Sequence, residues 1–496
     1  MKLIINEDNS HFYWSEAGKP AKRISRFIEQ YENTGVSEIF LNVNCMRASY
    51  DSKVYDPIWA GFDPNGGLEQ PYLESLDNDG KQLFYNFAYN AKQLNGEGKN
   101  VYCEWIKTAR EKNISPWISM RMNDVHNADD EKNPLHSEFW KNHPERRRVN
   151  YRYIRWTDKA LDYGREDVRE HALDLIREIA ETFDMDGLEL DWMRFGFHFK
   201  PGFETEGVKI LNQFTRDVRK ILDSARQKYG HKIALAARVP SRPETALGLG
   251  FDAVTWASED LIDLLIVTPF WATAETDMPI EIWKQLLRGT KTKLAAGLEI
   301  IIRPHGGGEV QTNSLETVRG IAWSCLSRGA DAVYLFNYMH SGAETEENNE
   351  CEILKENKTY REFLKEISDI DKTRNMRGKT RRHIVTYSDT WAPGEPQGYL
   401  LPVSLGGWSE FRIQIGETLK NQDAYVIIGV KDGEAPEVYV NGTKCEKSDF
   451  RAQNPPIPYE TQYSFKIPPD ILHDGHNLVE TNGGKGKLHW VEIYVK

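Results

Sequence analysis

Between Asp184 and Phe197 the chain reads DMDGLELDWMRFGF, which sets two acids inside what is otherwise a buried strand. Leu188, Leu190 and Trp192 alternate with Glu189 and Asp191, so the apolar side chains point to one face and both carboxylates to the other. An ionised carboxylate is costly to remove from water without a partner, so two aimed the same way predict a polar site on that face. A third acid, Glu299, closes the apolar run TKLAAGLE. Glycoside hydrolysis needs such an inventory: one carboxyl group kept protonated, one ionised, aromatic platforms, and polar side chains for hydroxyls.

The elements that must position these acids repeat along the chain. Up to about residue 370, apolar runs alternate with amphipathic stretches: KLIINE, SEIFLNVNCM, SPWISMRMNDVH, the quoted segment, HKIALAARV, LIDLLIVTPFW, TKLAAGLEIII and ADAVYLFNYM. Strands separated by helices or helix-sized gaps mean a parallel sheet, and this many favour a closed (β/α)8 TIM barrel. An open doubly wound sheet fits less well, because no Gly-rich phosphate turn follows the first strand. After a basic stretch, DKTRNMRGKTRRH, helical periodicity disappears and short runs are divided by Gly, Pro, Asn and Asp. That texture predicts an antiparallel β-sandwich. The expected division is a barrel over residues 1–375, a solvated linker over 376–384, and a sandwich over 385–496.

In a barrel the site lies at the C-terminal ends of the strands. Reading those ends gives Asn42, Asn44 and Arg47 on strand 2, then Arg121, Asn123, Asp124 and His126 on strand 3. Strand 4 gives Glu189, Asp191 and Arg194, strand 5 Arg238, and strand 6 Thr268, Phe270 and Trp271. Strand 7 gives Glu299, Arg303 and His305, and strand 8 Asn337, Tyr338 and His340. Asp191 and Glu299 form the expected carboxyl pair, with neither yet assigned as the acid. Glu189, one pleat deeper, is expected to hold Arg121 or Arg238. Arg121, Asn123, His126, Arg194, Arg238, Trp271, Asn337 and Tyr338 are the expected substrate contacts. A structural reading stands beside each: Glu189 as an ion-pair partner, the arginines as neutralisers of the acids, Trp271 as core.

Composition limits the alternatives. The chain has 496 residues, 40% hydrophobic and 28% charged, with a net charge of −12. That suits a globular protein of more than one domain and argues against nucleic acid or anionic membrane as partner. The five cysteines fall in no CxxC pattern, so no zinc site or disulfide framework is indicated, and no cofactor is expected. No HxH pair, P-loop, GxSxG or HExxH occurs. The start has no signal-peptide core and no run reaches membrane-spanning length, which reads as a cytoplasmic protein; a trimmed exported one would read the same. Oligomeric state is not legible.

The segment DYGREDVREHALDLIREIAETFDMDGLELDWMR resembles the region around strand 4 in the family-10-like glycosyl hydrolase group. The same strand is similar to the DGxDxDxE strand of family 18 chitinases, with Asp186, Gly187, Glu189 and Asp191 falling on it. Met193 stands where the chitinases carry their catalytic Glu, so their mechanism does not transfer. The resemblance implies a sugar-active barrel with Asp191 and Glu189 in its site. VYVNGTKC and YSFKIPPDILHDGHNLVE are similar to the galactose-binding-like jelly rolls attached to many glycosidases, with Asn441-Gly442 as a hairpin turn and Asn477 in a packing turn.

The leading expectation is therefore a glycoside hydrolase acting on an oligo- or polysaccharide. Its rivals are a non-catalytic carbohydrate-binding protein with an inactive barrel, and a polysaccharide lyase using His126 and Tyr338 as base and acid. Arg47, Arg121, Arg194, Arg238 and Arg303 outnumber Glu189, Asp191 and Glu299 at the strand ends, so an acidic or sulfated sugar is expected.

Overall fold

The computed structural model describes residues 2–8, 10–339, 359–370, 376–419, 422–452 and 461–496. Eight strands form a closed parallel barrel: β1 (Lys2–Glu7), β2 (Val36–Asn42), β3 (Ser115–Arg121), β4 (Gly187–Asp191), β5 (Ala234–Pro240), β6 (Leu264–Thr268), β7 (Lys293–Glu299) and β8 (Ala332–Phe336). Sequential strands are neighbours and β8 closes on β1, as a (β/α)8 barrel requires.

Alternation along the strands divides the molecule into layers. Leu188 and Leu190 of β4 and Trp192 just after it face outward into the main core, packed with Ile176 and Ile179 of helix Glu166–Thr182 and Val218 and Leu222 of helix Glu204–Tyr229. Inside the barrel, Ile4, Phe40, Trp117, Ile266, Ala295 and Tyr334 form an apolar plug. Toward the strand ends the interior turns polar: Asn6, Ser119 and Glu189 come first, then Arg121, Asp191, Arg238 and Glu299. Burying either acid layer is tolerable only because these side chains meet one another.

The chain after the barrel forms two antiparallel sheets. One pairs Arg381–Ile384, Lys485–Val495, Ala424–Glu434, Thr461–Lys466 and Glu446–Ser448 in that order, with Val403–Ser404 on the long last strand. The other orders Ser409–Gln414, His476–Asn482, Glu437–Val440 and Thr443–Lys444. Val426, Ile428, Val440, Val479 and Val491 fill the core between them. Asn441 and Gly442, at φ 50° and 78°, make the two-residue turn between Val440 and Thr443. Asn477 ties the neighbouring turn through His473, Gly475 and Asn441.

The stretch expected as a solvated linker is corrected over Arg381–Ile384. Those residues are a buried strand, in which Arg382 donates to Glu492 at 2.9 Å and packs against helix Leu315–Ser327 of the barrel. Charge alone misread it, because a paired arginine can be buried where a free one cannot. The close approach depends on Gly320, where an added Cβ would collide with the Arg382 carbonyl oxygen. Gly320→Ala should therefore cost about 1–3 kcal/mol by forcing helix and strand apart. A chemical denaturation midpoint equal to wild type would contradict that packing.

Candidate active site

Asp191 and Arg238 stand side by side in register on β4 and β5, and both are buried. Arg238 Nη1 donates to the two Asp191 oxygens at 3.0 and 3.2 Å. Asp191 Oδ1 also accepts the backbone N–H groups of Met193 and Arg194 at 3.0 and 2.9 Å, which caps the turn where the chain leaves the strand. The Arg238 guanidinium carbon lies 3.7 Å from the Phe336 ring centre, a cation–π contact that fixes its plane. Nε and Nη2 of Arg238 are buried with no hydrogen-bond partner among the described residues.

Glu299 ends β7 and is 1% exposed. Asn337 Nδ2 donates to its two oxygens at 3.0 and 3.1 Å, and the Ile300 N–H donates to Oε1 at 2.8 Å. Asn337 reaches back because it adopts a positive φ of 63° directly after β8. Burial raises the Glu299 pKa to about 7, against the opposing pull of Asn337, Ile300, Arg238 and Arg194. Asp191 and Glu299 thus occupy contrasting surroundings: one in a direct ion pair, the other hydrogen-bonded by neutral groups.

Beside this pair, over β1 to β4, lies a cavity of about 260 Å3 lined by Asp8, Trp14, Phe84, Phe87, Arg121, His126 and Arg194, among others. Arg121 donates to Asp8 at 2.5 Å and to Asp124 at 3.0 Å. Burial alone would raise the pKa of both acids, but Arg121 and Arg194, with His126 at Asp124, hold them well below the usual carboxylate range. Arg194 Nη2 can only donate, so His126 Nε2, 2.9 Å away, must accept. The ring proton therefore sits on Nδ1 and is donated to Asp124 at 2.6 Å. Arg194 has no carboxylate bonded to it among the described residues; burial and the like charge of Arg121 lower its pKa to about 10.

Below both, Glu189 is fully buried. Asn6 Nδ2 lies 3.4 Å from both Glu189 Oε2 and Ser119 Oγ, and the Tyr334 hydroxyl stands near the carboxyl group. Burial, then the charge of Asp191, raises the Glu189 pKa to about 8.

The structure thus gathers Arg121, His126, Arg194, Asp191, Arg238, Glu299 and Asn337 at one mouth. Several expected contacts fall elsewhere. Asn123 is a loop tie, donating to the carbonyls of Leu161 and Phe197 and accepting the Leu161 N–H. The buried Tyr338 hydroxyl donates to the Glu299 carbonyl, beneath the site. Arg47 is spent on the carbonyls of His136 and Ala60. Glu189 makes no direct bond to Arg121 or Arg238, because Asp8, Asp124 and Asp191 have taken them. Trp271 is 49% exposed on the rim rather than core, His305 is buried beside His489, and His340 lies outside the described residues. Asp8, which follows β1 in KLIINED, joins the site as well, although no strand-end pattern marks it in the sequence. Among the described residues no cluster of three or more His, Cys, Asp or Glu could hold a metal ion.

No family model and no curated protein matches the chain. Among solved structures it is similar to a maltogenic α-amylase, AmyB, from Thermotoga neapolitana, with 12% identity over 97% of this chain and 98% of that one, at TM-score 0.39. It is also similar to the PgaB (BpsB) glycoside hydrolase domain from Bordetella bronchiseptica, with 10% identity, 68% and 94% coverage and TM-score 0.40. The chitinase ChiW from a Paenibacillus species gives 10% identity, 99% and 54% coverage and TM-score 0.39. Values this low carry no argument about activity.

The Glu189 pKa has a consequence for stability. It lies above its ordinary value of 4.5, so the folded state binds this proton more tightly than the unfolded chain does. Its contribution is complete below about 4.5 and is lost as pH rises through about 8. Glu189→Gln should thus gain stability relative to wild type as pH increases, which thermal melts near pH 5 and pH 9 will show. A difference independent of pH would contradict it.

Proposed function

We propose that this protein is a glycoside hydrolase, with Glu299 as the proton donor and Asp191 as the ionised partner. The observation that carries this reading is the contrast between the two carboxyl groups around Arg238. Glycosidic cleavage needs one carboxylic acid to protonate the leaving oxygen and one carboxylate to stabilise or attack the anomeric centre. Glu299, at about 7, holds a proton up to neutral pH, while Asp191 accepts only from cations and amides. Asn337 sets the orientation of Glu299, and Arg238 sets that of Asp191. Arg194 offers donors for hydroxyls or for an anionic substituent in the adjoining cavity.

The carbohydrate-binding reading has one observation in its favour: Asp191 and Glu299 are each only 1% exposed, so substrate must displace side chains to reach them. The lyase reading loses its acid, since the Tyr338 hydroxyl is buried and committed to the Glu299 carbonyl. The charge argument for an acidic substrate also narrows. Asp8, Asp124 and Asp191 neutralise Arg121 and Arg238, which leaves Arg194 as the guanidinium of the cavity free to take one carboxylate or sulfate.

A panel of neutral, acidic and sulfated glycans tests these readings. Glu299→Gln should lower kcat roughly a hundred- to ten-thousand-fold with folding intact, and Asp191→Asn should lower it as far while also lowering stability, since it leaves the buried Arg238 without its counter-charge. Wild-type kcat should fall as pH rises through about 7, as Glu299 loses its proton. Binding without hydrolysis across the panel would favour the rival. Arg194→Met should lose an acidic substrate far more than its neutral analogue, and salt should weaken only the acidic one. Equal losses for both would remove the acidic-sugar part alone.

A further inference from the structure

The loop after β6 is held by the chain beyond the barrel. The Asp389 carboxylate accepts three consecutive backbone N–H groups, those of Phe270, Trp271 and Ala272, at 2.8, 2.9 and 2.8 Å. Such a clamp fixes a loop that its own sequence leaves free. Nearby, Thr276 Oγ1 donates to the Ile384 carbonyl at 2.6 Å and Thr273 ties the loops after β6 and β7 through Arg303. The Tyr399 ring stands 4.8 Å from Tyr387 and closes over Gly306, where an added Cβ would meet its hydroxyl at 2.6 Å. The clamp thus holds Trp271, 49% exposed, on the loop after β6, and Tyr399, 51% exposed, stands against Gly306 of the loop after β7. Each leaves about half of its surface in water.

A run of rings connects this rim to the cavity. His126 contacts Phe195 at 4.8 Å, Phe195 contacts Phe270 at 5.5 Å, and Phe270 contacts Trp271 at 6.1 Å, centre to centre. Sugar rings present C–H faces that lie flat on aromatic surfaces, while their hydroxyls stay in water or find polar edges. Half-exposed Trp and Tyr supply an apolar body and a polar tip for that purpose.

We infer that Trp271 and Tyr399 form a binding platform for a glycan chain extending from the mouth, built jointly by the barrel and the segment after it. This rests on the carbohydrate reading above but does not require catalysis. It makes the C-terminal region part of the substrate cleft. The sugars bound there lie outside the 260 Å3 cavity, whose size is below the roughly 300–1,000 Å3 of sites that enclose larger ligands.

Affinity electrophoresis of the full chain tests the platform without relying on turnover. The Glu299→Gln protein is run through native gels containing soluble xylan, glucomannan, pectin, alginate or carrageenan. At least one polysaccharide should retard it, and Trp271→Ala and Tyr399→Ala introduced into it should each weaken that retardation roughly fivefold or more. Both residues are half in solvent, so circular dichroism spectra should be unchanged. Retardation by none of the polysaccharides, or retardation that neither substitution weakens, overturns the platform. Glu299-dependent hydrolysis of short glycosides by the wild type would still stand in that event. Conversely, retardation lost in Trp271→Ala and Tyr399→Ala without hydrolysis by any variant would support the platform and remove the hydrolase reading.

Discussion

Two charges taken out of water at the centre of the barrel set the conditions for everything around them. Asp191 and Arg238 are each 1% exposed by side chain, and desolvating such a pair costs several kcal/mol per ion unless geometry restores it. Here it is restored by two N–H···O contacts, two backbone N–H groups on Asp191, and the Phe336 face beneath the guanidinium. The neighbouring acids then have to differ from Asp191. Glu189, one layer down, and Glu299, across the mouth, each lack a direct cation, and burial pushes both pKa values up. One ion pair in the middle therefore gives Asp191 the guanidinium that Glu189 and Glu299 do without.

Charge balance extends outward from that pair. Arg121 bridges Asp8 and Asp124, and Asp124 also accepts from His126. Arg194 completes the series with a neutral acceptor, the His126 Nε2. The protein is acidic overall, yet within the cavity Arg121 meets two acids, while Arg194 meets none among the described residues.

The same logic joins the two parts of the chain. Arg382 can be buried because Glu492 meets it, and Gly320 lets the helix approach that strand. Asp389 satisfies three backbone N–H groups in a loop of the barrel mouth. The sandwich is thus attached through satisfied polar groups as well as apolar packing, and the Asp389 attachment lies at the mouth of the barrel.

The residues of the barrel strands carry their own assignment. Alternation in GLELDW and the apolar runs at helix-sized spacing determine eight strands and which face of β4 is polar, because side-chain direction in a strand is a local property. The Asn441-Gly442 turn is local in the same way, since both positions need a positive φ. Which acid pairs with which arginine is not local. Arg238 could have met Glu189 or Asp191, and only the register of β4 on β5 placed it against Asp191. Asn123 and Tyr338 read as site residues from strand position, but their tertiary neighbours were backbone carbonyls that needed donors. Arg381–Ile384 read as linker because a partner such as Glu492, 110 positions away from Arg382, is invisible until the chain folds. Sequence determined which residues point into the barrel; tertiary structure decided their partners, since the pairing of buried charges depends on distances that no local pattern encodes.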